Sequence, residues 1–580
     1  MGLHISLIGT ELEENLALRY IASSLEAVGH STSIVAFSTP QDADRVLRTI
    51  VTQNPDICGL SMIFTSRAQE FLELAKSLRK FGYQGHIIAG GHFASFNFEK
   101  ILTDVSAIDS VALGEGEHTM VSLAKNLHQL ERVDGLCYRD RQGRVFRNDE
   151  APSQDLDELP FPKRLSFHDY FGHPIASMLS SRGCWRSCHF CSINAWYRRC
   201  GGKRFRIRSV ENIADEMTLL YHEHGIRIFN FQDDNFFLPR KDTSAARFEH
   251  LRDLLRKNGV TRTAIAIKAR PDSITHETVA PLDDLGLFRV FLGVENGSQR
   301  GLDNLNRKST LSEIEHSLKV LNDFDIHVAY NLLMFEPNTT MDDIHGNLRF
   351  MERHIDNPFN FCRAEAYAGT GLETILQNEN ALLGDWLGFD YRLKHSECET
   401  FHQIANFAFF DRNFNNNGLH YFNMQVDFYY QILRRFFPTT LDESIRSDVK
   451  NFIKCTNLDT YAHLCRIYDF VQQHGSQDRV LVQGFASEMR YRVDESGRNL
   501  LVRGCQIIND LEKRPHREHP ASAATIAQST TSVLESLLNC SPAPYDERLA
   551  FRMQQFSPTF GMRLSLQTPI PYHQYKGWSD

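Results

Sequence analysis

The chain has 580 residues, more than a single hydrophobic core organises, so about three folded units are expected. With 42% hydrophobic and 23% charged residues and a net charge of −9, the composition is that of a globular protein, and the dispersed Lys and Arg, apart from a short cluster between Arg198 and Arg208, exclude nucleic acid as an obvious partner. No run reaches the roughly 20 apolar residues of a membrane span, the start lacks a secretory signal, and the expected location is cytoplasmic.

From the N-terminus, short apolar runs alternate with amphipathic stretches. His4–Gly9, Ser33–Phe37, Ile57–Phe64, His86–Ala89 and Ser110–Leu113 read as strands, and Glu13–Leu25 and Ala68–Arg79 as helices. This alternation predicts an α/β, doubly wound (Rossmann-like) domain over residues 1–130. Ligands of such domains lie beyond the carboxyl ends of the strands. Three turns there stand out: Ser61-Met62-Ile63-Phe64-Thr65-Ser66, Gly90-Gly91-His92-Phe93-Ala94-Ser95 and Gly114-Glu115-Gly116-Glu117. Glycine admits a close ligand and small hydroxyls can bond it; plain turn chemistry gives the same pattern.

Residues 131–172 read as a linker, charged and proline-containing from Tyr138 to Phe171 and including Leu159-Pro160-Phe161-Pro162. A second alternating series fills residues 173–394, with strands at Ile175–Leu179, Ile226–Phe231, Thr263–Ile267, Phe288–Gly293, Val328–Met334 and Phe361–Ala366, and helices such as Ile213–Tyr221 and Ile314–Leu321. Six strand–helix units suit a partial (β/α)6 TIM-like barrel with its chemistry at the carboxyl ends of the strands. Residues 395–580 read as a helical domain, with helices at Val426–Phe437 and Thr460–Gln472 and an Ala/Ser/Thr-rich segment, Ala521–Thr531, that is a loop or a weak helix. Its aromatic clusters, Phe407–Phe410, Tyr421–Phe422 and Phe428–Tyr430, are either core or a cap over the barrel mouth.

Twelve cysteines in a long intracellular chain argue for metal binding or reactivity over disulfides. Nine are scattered. The other three, Cys184, Cys188 and Cys191, follow the first barrel strand at spacings of four and three, so that one loop can offer three thiolates to a four-iron cluster and leave one iron open. Zinc is the competing ligand, but it takes four protein ligands and no second pair follows; Cys200 and His189 are the candidates for a fourth ligand.

The sequence Cys184-Trp185-Arg186-Ser187-Cys188-His189-Phe190-Cys191 resembles the radical S-adenosylmethionine superfamily, whose loop is Cys, three residues, Cys, an aromatic in the next-to-last place, and Cys. The resemblance implies a [4Fe–4S] cluster on the three cysteines, S-adenosylmethionine on the open iron, and Phe190 beside the adenine. It extends to Phe231-Gln232-Asp233-Asp234-Asn235-Phe236, which places Asp233 and Asp234 at the amino group, where carboxylates suit an ammonium. Ala269-Arg270-Pro271-Asp272 places Arg270 at the methionine carboxylate, and Leu292-Gly293-Val294-Glu295-Asn296 places Glu295 at the ribose, with Asn296 where the family usually has Ser. The loop Met334–Thr340 resembles an exit loop whose polar residues face cofactor or shape a turn.

A subfamily of class B methylases sets a cobalamin-binding domain before this barrel, with a Leu-Pro-x-Pro linker like that at Leu159–Pro162. The resemblance, over roughly residues 1 to 370, implies cobalamin near Ser61, Thr65, Gly90, Gly91, His92, Gly114 and Glu115. The cobalt-ligating Asp-x-His-x-x-Gly is absent, its place taken by Gly9-Thr10-Glu11-Leu12-Glu13-Glu14, as in members that leave the lower face without histidine and in relatives that no longer use cobalamin. The resemblance implies a 5′-deoxyadenosyl radical and cobalamin-dependent methyl transfer to an unactivated carbon of a small-molecule or peptide substrate, with an external electron donor such as flavodoxin or ferredoxin. Two alternatives stay open: a cobalamin-independent radical rearrangement, cyclisation, dehydration or oxidation, and a non-catalytic, metal-stabilised binding protein.

Overall fold

The computed structural model describes residues 2–415, 418–476 and 478–515. The stretch Ala521–Thr531 and Cys540 lie outside the described residues.

The first five strands, β1 (His4–Gly9), β2 (Ser31–Ala36), β3 (Ile57–Ser61), β4 (His86–Gly90) and β5 (Ser110–Ala112), lie in the order β2-β1-β3-β4-β5 and all run parallel. The order reverses between β1 and β3, the place where doubly wound sheets open a ligand crevice. Ile57–Phe64 reads as a strand in the sequence, but the sheet ends at Ser61, and Met62–Phe64 lead into a turn at Thr65–Arg67.

The linker reading needs correction at its start. Strands β6 (Leu136–Arg139) and β7 (Val145–Arg147) form a hairpin that extends the sheet antiparallel to β5. Asp140 Oδ1 accepts the Gln142 and Arg144 amides at 2.9 Å, and Gly143 takes φ 84°, so a tight turn closes the hairpin. Strands of four and three residues are too short for alternation to be visible in the sequence.

The second sheet begins with β8 (His168–Tyr170), also from the linker region, antiparallel to β9 (His173–Met178). A small antiparallel pair, β10 (Ser181–Gly183) and β11 (Phe205–Ile207), branches off before β12 (Ile228–Phe231). β13 (Ala264–Ala269), β14 (Leu287–Glu295), β15 (His327–Phe335) and β16 (Phe359–Arg363) complete the order β16-β15-β14-β13-β12-β9-β8. β9 and β12–β16 are parallel, matching the six expected strands, and β16 does not pair with β8, so the barrel is incomplete.

In these strands Lys268, Phe291, Gly293, Glu295, Leu333 and Cys362 are partly accessible while their neighbours are buried. On a sheet whose outer face is covered by helices, that alternation marks the residues lining an open lumen.

Four helices follow: Ser396–Phe414, Leu419–Phe436, Glu443–His474 and Arg479–Lys513. Val426, Phe428 and Ile432 of the second pack against Ile175, Ile228, Ala264 and Phe288, residues at the amino ends of the barrel strands. His327, the first residue of β15, bonds Asp427 at 3.0 Å and the Met424 carbonyl at 3.1 Å. The aromatic clusters are therefore core and barrel floor, at the opposite end from the mouth, and Phe409 is fully buried. No helix among the described residues is long and apolar enough to cross a membrane.

Candidate active site

The cysteine loop leaves β10 at Gly183, whose φ of 83° and whose approach to the Arg204 carbonyl, 2.1 Å from where a Cβ would stand, require glycine. Asp234 Oδ2 accepts the Gly183 amide at 3.1 Å and the Arg204 carbonyl accepts the Cys184 amide at 2.9 Å. Cys184, Cys188 and Cys191 are all free and partly accessible. Burial pushes the Cys184 and Cys191 thiols up, and the neighbouring Cys188 adds to this. Two guanidiniums answer from beside Cys188 Sγ, Arg307 Nη1 at 3.5 Å and Arg270 Nη1 at 3.9 Å. Both aim charged N–H groups at that sulfur.

The fourth-ligand candidates point elsewhere. Cys200 packs in the N-terminal core against Gly114, where burial raises its thiol to about 11, and His189 Nδ1 lies 3.0 Å from the Asn304 carbonyl. Among the described residues no three His, Cys, Asp or Glu side chains converge as they would on one ion. A cubane does not need such convergence, since its thiolates each meet a different iron.

The paired acids at the end of β12 divide. Asp233 is fully buried and both oxygens are engaged: Oδ1 accepts the Ser180 hydroxyl at 2.7 Å and the Ser181 hydroxyl at 2.6 Å, and both oxygens accept the Ser180 amide at 3.1 Å. The expected cofactor contact at Asp233 gives way to bracing of the β9 exit. Asp234 is accessible in the lumen, its carboxyl pushed up by burial and opposed by Lys268. The next residue, Asn235, is 1% exposed with both amide atoms unpartnered.

Arg270 is held by Asp272 (3.0 Å), the Arg307 carbonyl (2.8 Å) and Ser309 (3.0 Å), leaving Nη1 toward Cys188. Arg186 shares Asp272 at 2.6 Å. Glu295 has φ 68°, a left-handed conformation costing a non-glycine residue about 1–3 kcal/mol and characteristic of functional sites. Burial raises its carboxyl, opposed by Arg307 at 3.7 Å. Asn296 braces the same turn: its Nδ2 donates to the Leu333 carbonyl and its Oδ1 accepts from Ser298 and Asn347. In the loop Met334–Thr340, Glu336 accepts from Asn304 (2.8 Å) and Asn338 (2.9 Å), which shapes a turn. Phe190 packs half-buried against the barrel core. Arg307, central here, carries no motif in the sequence; Lys268, Phe291 and Cys362 were findable from strand alternation alone.

At the carboxyl edge of the first sheet, Gly9, Ser61, Gly90 and Ala112 stand side by side on one face of four adjacent strands. A Cβ on Gly90 would meet only Ala112, at 3.7 Å, and one on Gly91, at φ 102°, would stand 2.8 Å from the Met62 carbonyl. This trough, with Thr65 opening the adjacent turn, suits a flat group against the backbone. The other candidates bind protein. Glu115 pairs with Arg206 and Arg182 and accepts the Tyr197 hydroxyl at 3.1 Å; Gly114 faces Cys200; the His92 ring lies 4.5 Å from that of Trp196. Glu115 thus latches the domains together, in place of the expected ligand contact. The loop after β1 also turns to the barrel, Gln232 donating to Glu13 (2.9 Å) and the Ser177 amide to Glu14 (2.6 Å). At this seam Asn194 (both amide atoms) and Trp196 Nε1 are buried without partners. Cobalamin, rimmed with amides, matches both the trough and these orphaned groups.

The comparisons agree with this geometry. Residues 178–351 match the Radical SAM superfamily model, and residues 10–124 match the B12 binding domain. The barrel is a radical SAM domain, and the chain is an enzyme built on it. Its N-terminal domain is of the B12-binding kind. Its cofactors are S-adenosylmethionine, a [4Fe–4S] cluster and cobalamin. An uncharacterized methyltransferase of Pyrococcus horikoshii is 25% identical over 408 residues, 68% of this chain and 86% of the relative. Hopanoid C-3 methylase of Methylococcus capsulatus is 28% identical over 332 residues, 55% of this chain and 61% of the relative. The structure of the cobalamin-dependent S-adenosylmethionine radical enzyme OxsB with aqua-cobalamin bound shares the fold, with a TM-score of 0.63 at 16% identity over 96% of this chain and 84% of that one.

Proposed function

We propose that this enzyme methylates an unactivated carbon of a small-molecule substrate, with Cys184, Cys188 and Cys191 each holding one iron and leaving the fourth to S-adenosylmethionine. When bound, these groups supply a 5′-deoxyadenosyl radical and, from cobalamin, a methyl group. The chain's part is placement. Asp234 takes the ammonium, Arg270 the carboxylate, Glu295 the ribose hydroxyls and Phe190 the adenine; Arg307 and Arg270 offset the negative charge beside Cys188. Asp233 acts through Ser180 and Ser181 as a positioning residue. Ser61, Thr65, Gly90 and Gly91 receive cobalamin, while His92, Gly114 and Glu115 hold its domain against the barrel. Phe291 and Leu333 give the lumen an apolar wall, which helps to keep water from a carbon radical. Electrons come from an external donor such as flavodoxin or ferredoxin.

The observation that carries this reading is the convergence of two buried arginines on Cys188 at a mouth where strained Glu295 and accessible Asp234 also stand. The test is anaerobic purification from cells supplied with cobalamin, with iron, sulfide and cobalt determined beside the ultraviolet–visible spectrum. About four irons and one cobalt per chain are expected. Iron without cobalt would move the reaction to a cobalamin-free rearrangement or redox step. Cys184→Ala, Cys188→Ala and Cys191→Ala combined should abolish both the brown chromophore and deoxyadenosine formation; an iron-loaded triple variant that still cleaves S-adenosylmethionine overturns the site.

A further inference from the structure

Arg289 is a buried charge with incomplete hydrogen bonding. It lies on β14 and is 4% exposed, yet Nε and Nη2 have no hydrogen-bond partner, and it forms no ion pair among the described residues. Other buried arginines, Arg67, Arg164, Arg208 and Arg412, each reach a carboxylate. Burial drives the Arg289 guanidinium down to about 10, opposed by the charge of Glu13. A buried charge left unpaired is strongly destabilising and calls for an explanation outside packing.

Its position supplies one. Arg289 alternates with Phe291, Gly293 and Glu295, the lumen-lining residues of β14, and stands one pleat below Phe291. Its guanidinium sits over the Phe428 ring, 5.1 Å from the centroid, on the helix that forms the barrel floor. On the neighbouring strand Ala266 pairs with Arg289 and Lys268 with Phe291, so Lys268 stands one pleat nearer the mouth on the same side. Between the two cations that strand presents only the small side chain of Ala266.

We propose that Arg289 receives an anionic group of the substrate, a phosphate or a carboxylate, at the floor of the lumen, with Lys268 as a second cation above it. The substrate is then an acidic small molecule, anchored by its charged end at the floor, with the reacting carbon toward the mouth. This rests on the lumen being the reaction chamber. A guanidinium suits either oxyanion through paired N–H groups.

The test uses the anaerobically reconstituted full-length protein, titrated with inorganic phosphate or with acetate at matched ionic strength and followed by thermal unfolding. One or both anions should raise the wild-type Tm, and Arg289→Gln should weaken that binding at least tenfold. A response to phosphate alone assigns a phosphorylated substrate, and a response to acetate alone a carboxylic acid. Arg289→Met removes the unpaired charge and should exceed the wild-type Tm in the absence of anion. The proposal is overturned if neither anion shifts the wild type, if the shift persists in Arg289→Gln, or if Arg289→Met is less stable than wild type. Wild-type protein that binds iron but never cleaves S-adenosylmethionine defeats the functional reading instead, and the anion titration still reports on Arg289.

Discussion

Glu295 carries the most conspicuous backbone strain of the site, a left-handed residue at the end of a nine-residue strand. A side chain retained there at a cost of about 1–3 kcal/mol is expected to bind something. Glu295→Gln should weaken S-adenosylmethionine binding by roughly tenfold to a hundredfold, the loss of about 1.5–3 kcal/mol from a charged hydrogen bond, as read by equilibrium dialysis on iron-loaded protein. Glu295→Gly should lose the same affinity while raising Tm, because glycine adopts φ 68° without strain. Unchanged affinity in both would remove Glu295 from the site.

Two elements of the N-terminal domain bind it to the barrel. In the loop after β1, Glu14 accepts the Ser177 amide and Arg164, and Arg164 continues to Glu216 and on to Arg208. Glu14→Ala removes one of the two carboxylates that hold the buried Arg164, leaving Glu216, and should cost about 1.5–3 kcal/mol in chemical denaturation; a loss under about 1 kcal/mol would show the network to be dispensable. At the turn after β5, burial pushes the Glu115 carboxyl up, but Arg182 and Arg206 outweigh it and hold it below its ordinary 4.5. A depressed folded value means this stabilisation is complete above pH 4.5 and is lost as pH falls through the lowered value. Glu115→Gln should flatten that part of the stability profile below pH 4.5, measured by denaturation at pH 7 and pH 4.

At the scale of the molecule, the helices after residue 395 are part of the barrel's core. Phe401, Ile404 and Phe409 share one cluster with Met334, Phe335 and Phe361, and the helix Leu419–Phe436 covers the amino ends of the strands. Removing them would expose contiguous apolar surface far beyond what a stable monomer tolerates. The fragment 1–394 should therefore aggregate or unfold; a soluble fragment with a cooperative thermal transition would show the barrel to be self-sufficient.

Both parallel sheets and the cysteine loop were legible in the sequence, because burial on two faces writes apolar runs whose spacing needs no partner to be read, and because three thiols in eight residues act within one loop. Which groups answer one another was decided only by the tertiary structure. Asp233 and Asp234 are adjacent and alike, yet Ser180 and Ser181 occupy the first while the lumen receives the second. Glu115 meets arginines from the barrel, Arg307 reaches Cys188 from 119 positions away, and Arg289 lies over Phe428 with no ion pair among the described residues. Electrostatic pairing depends on distances across the fold, and periodicity along a chain carries no record of them.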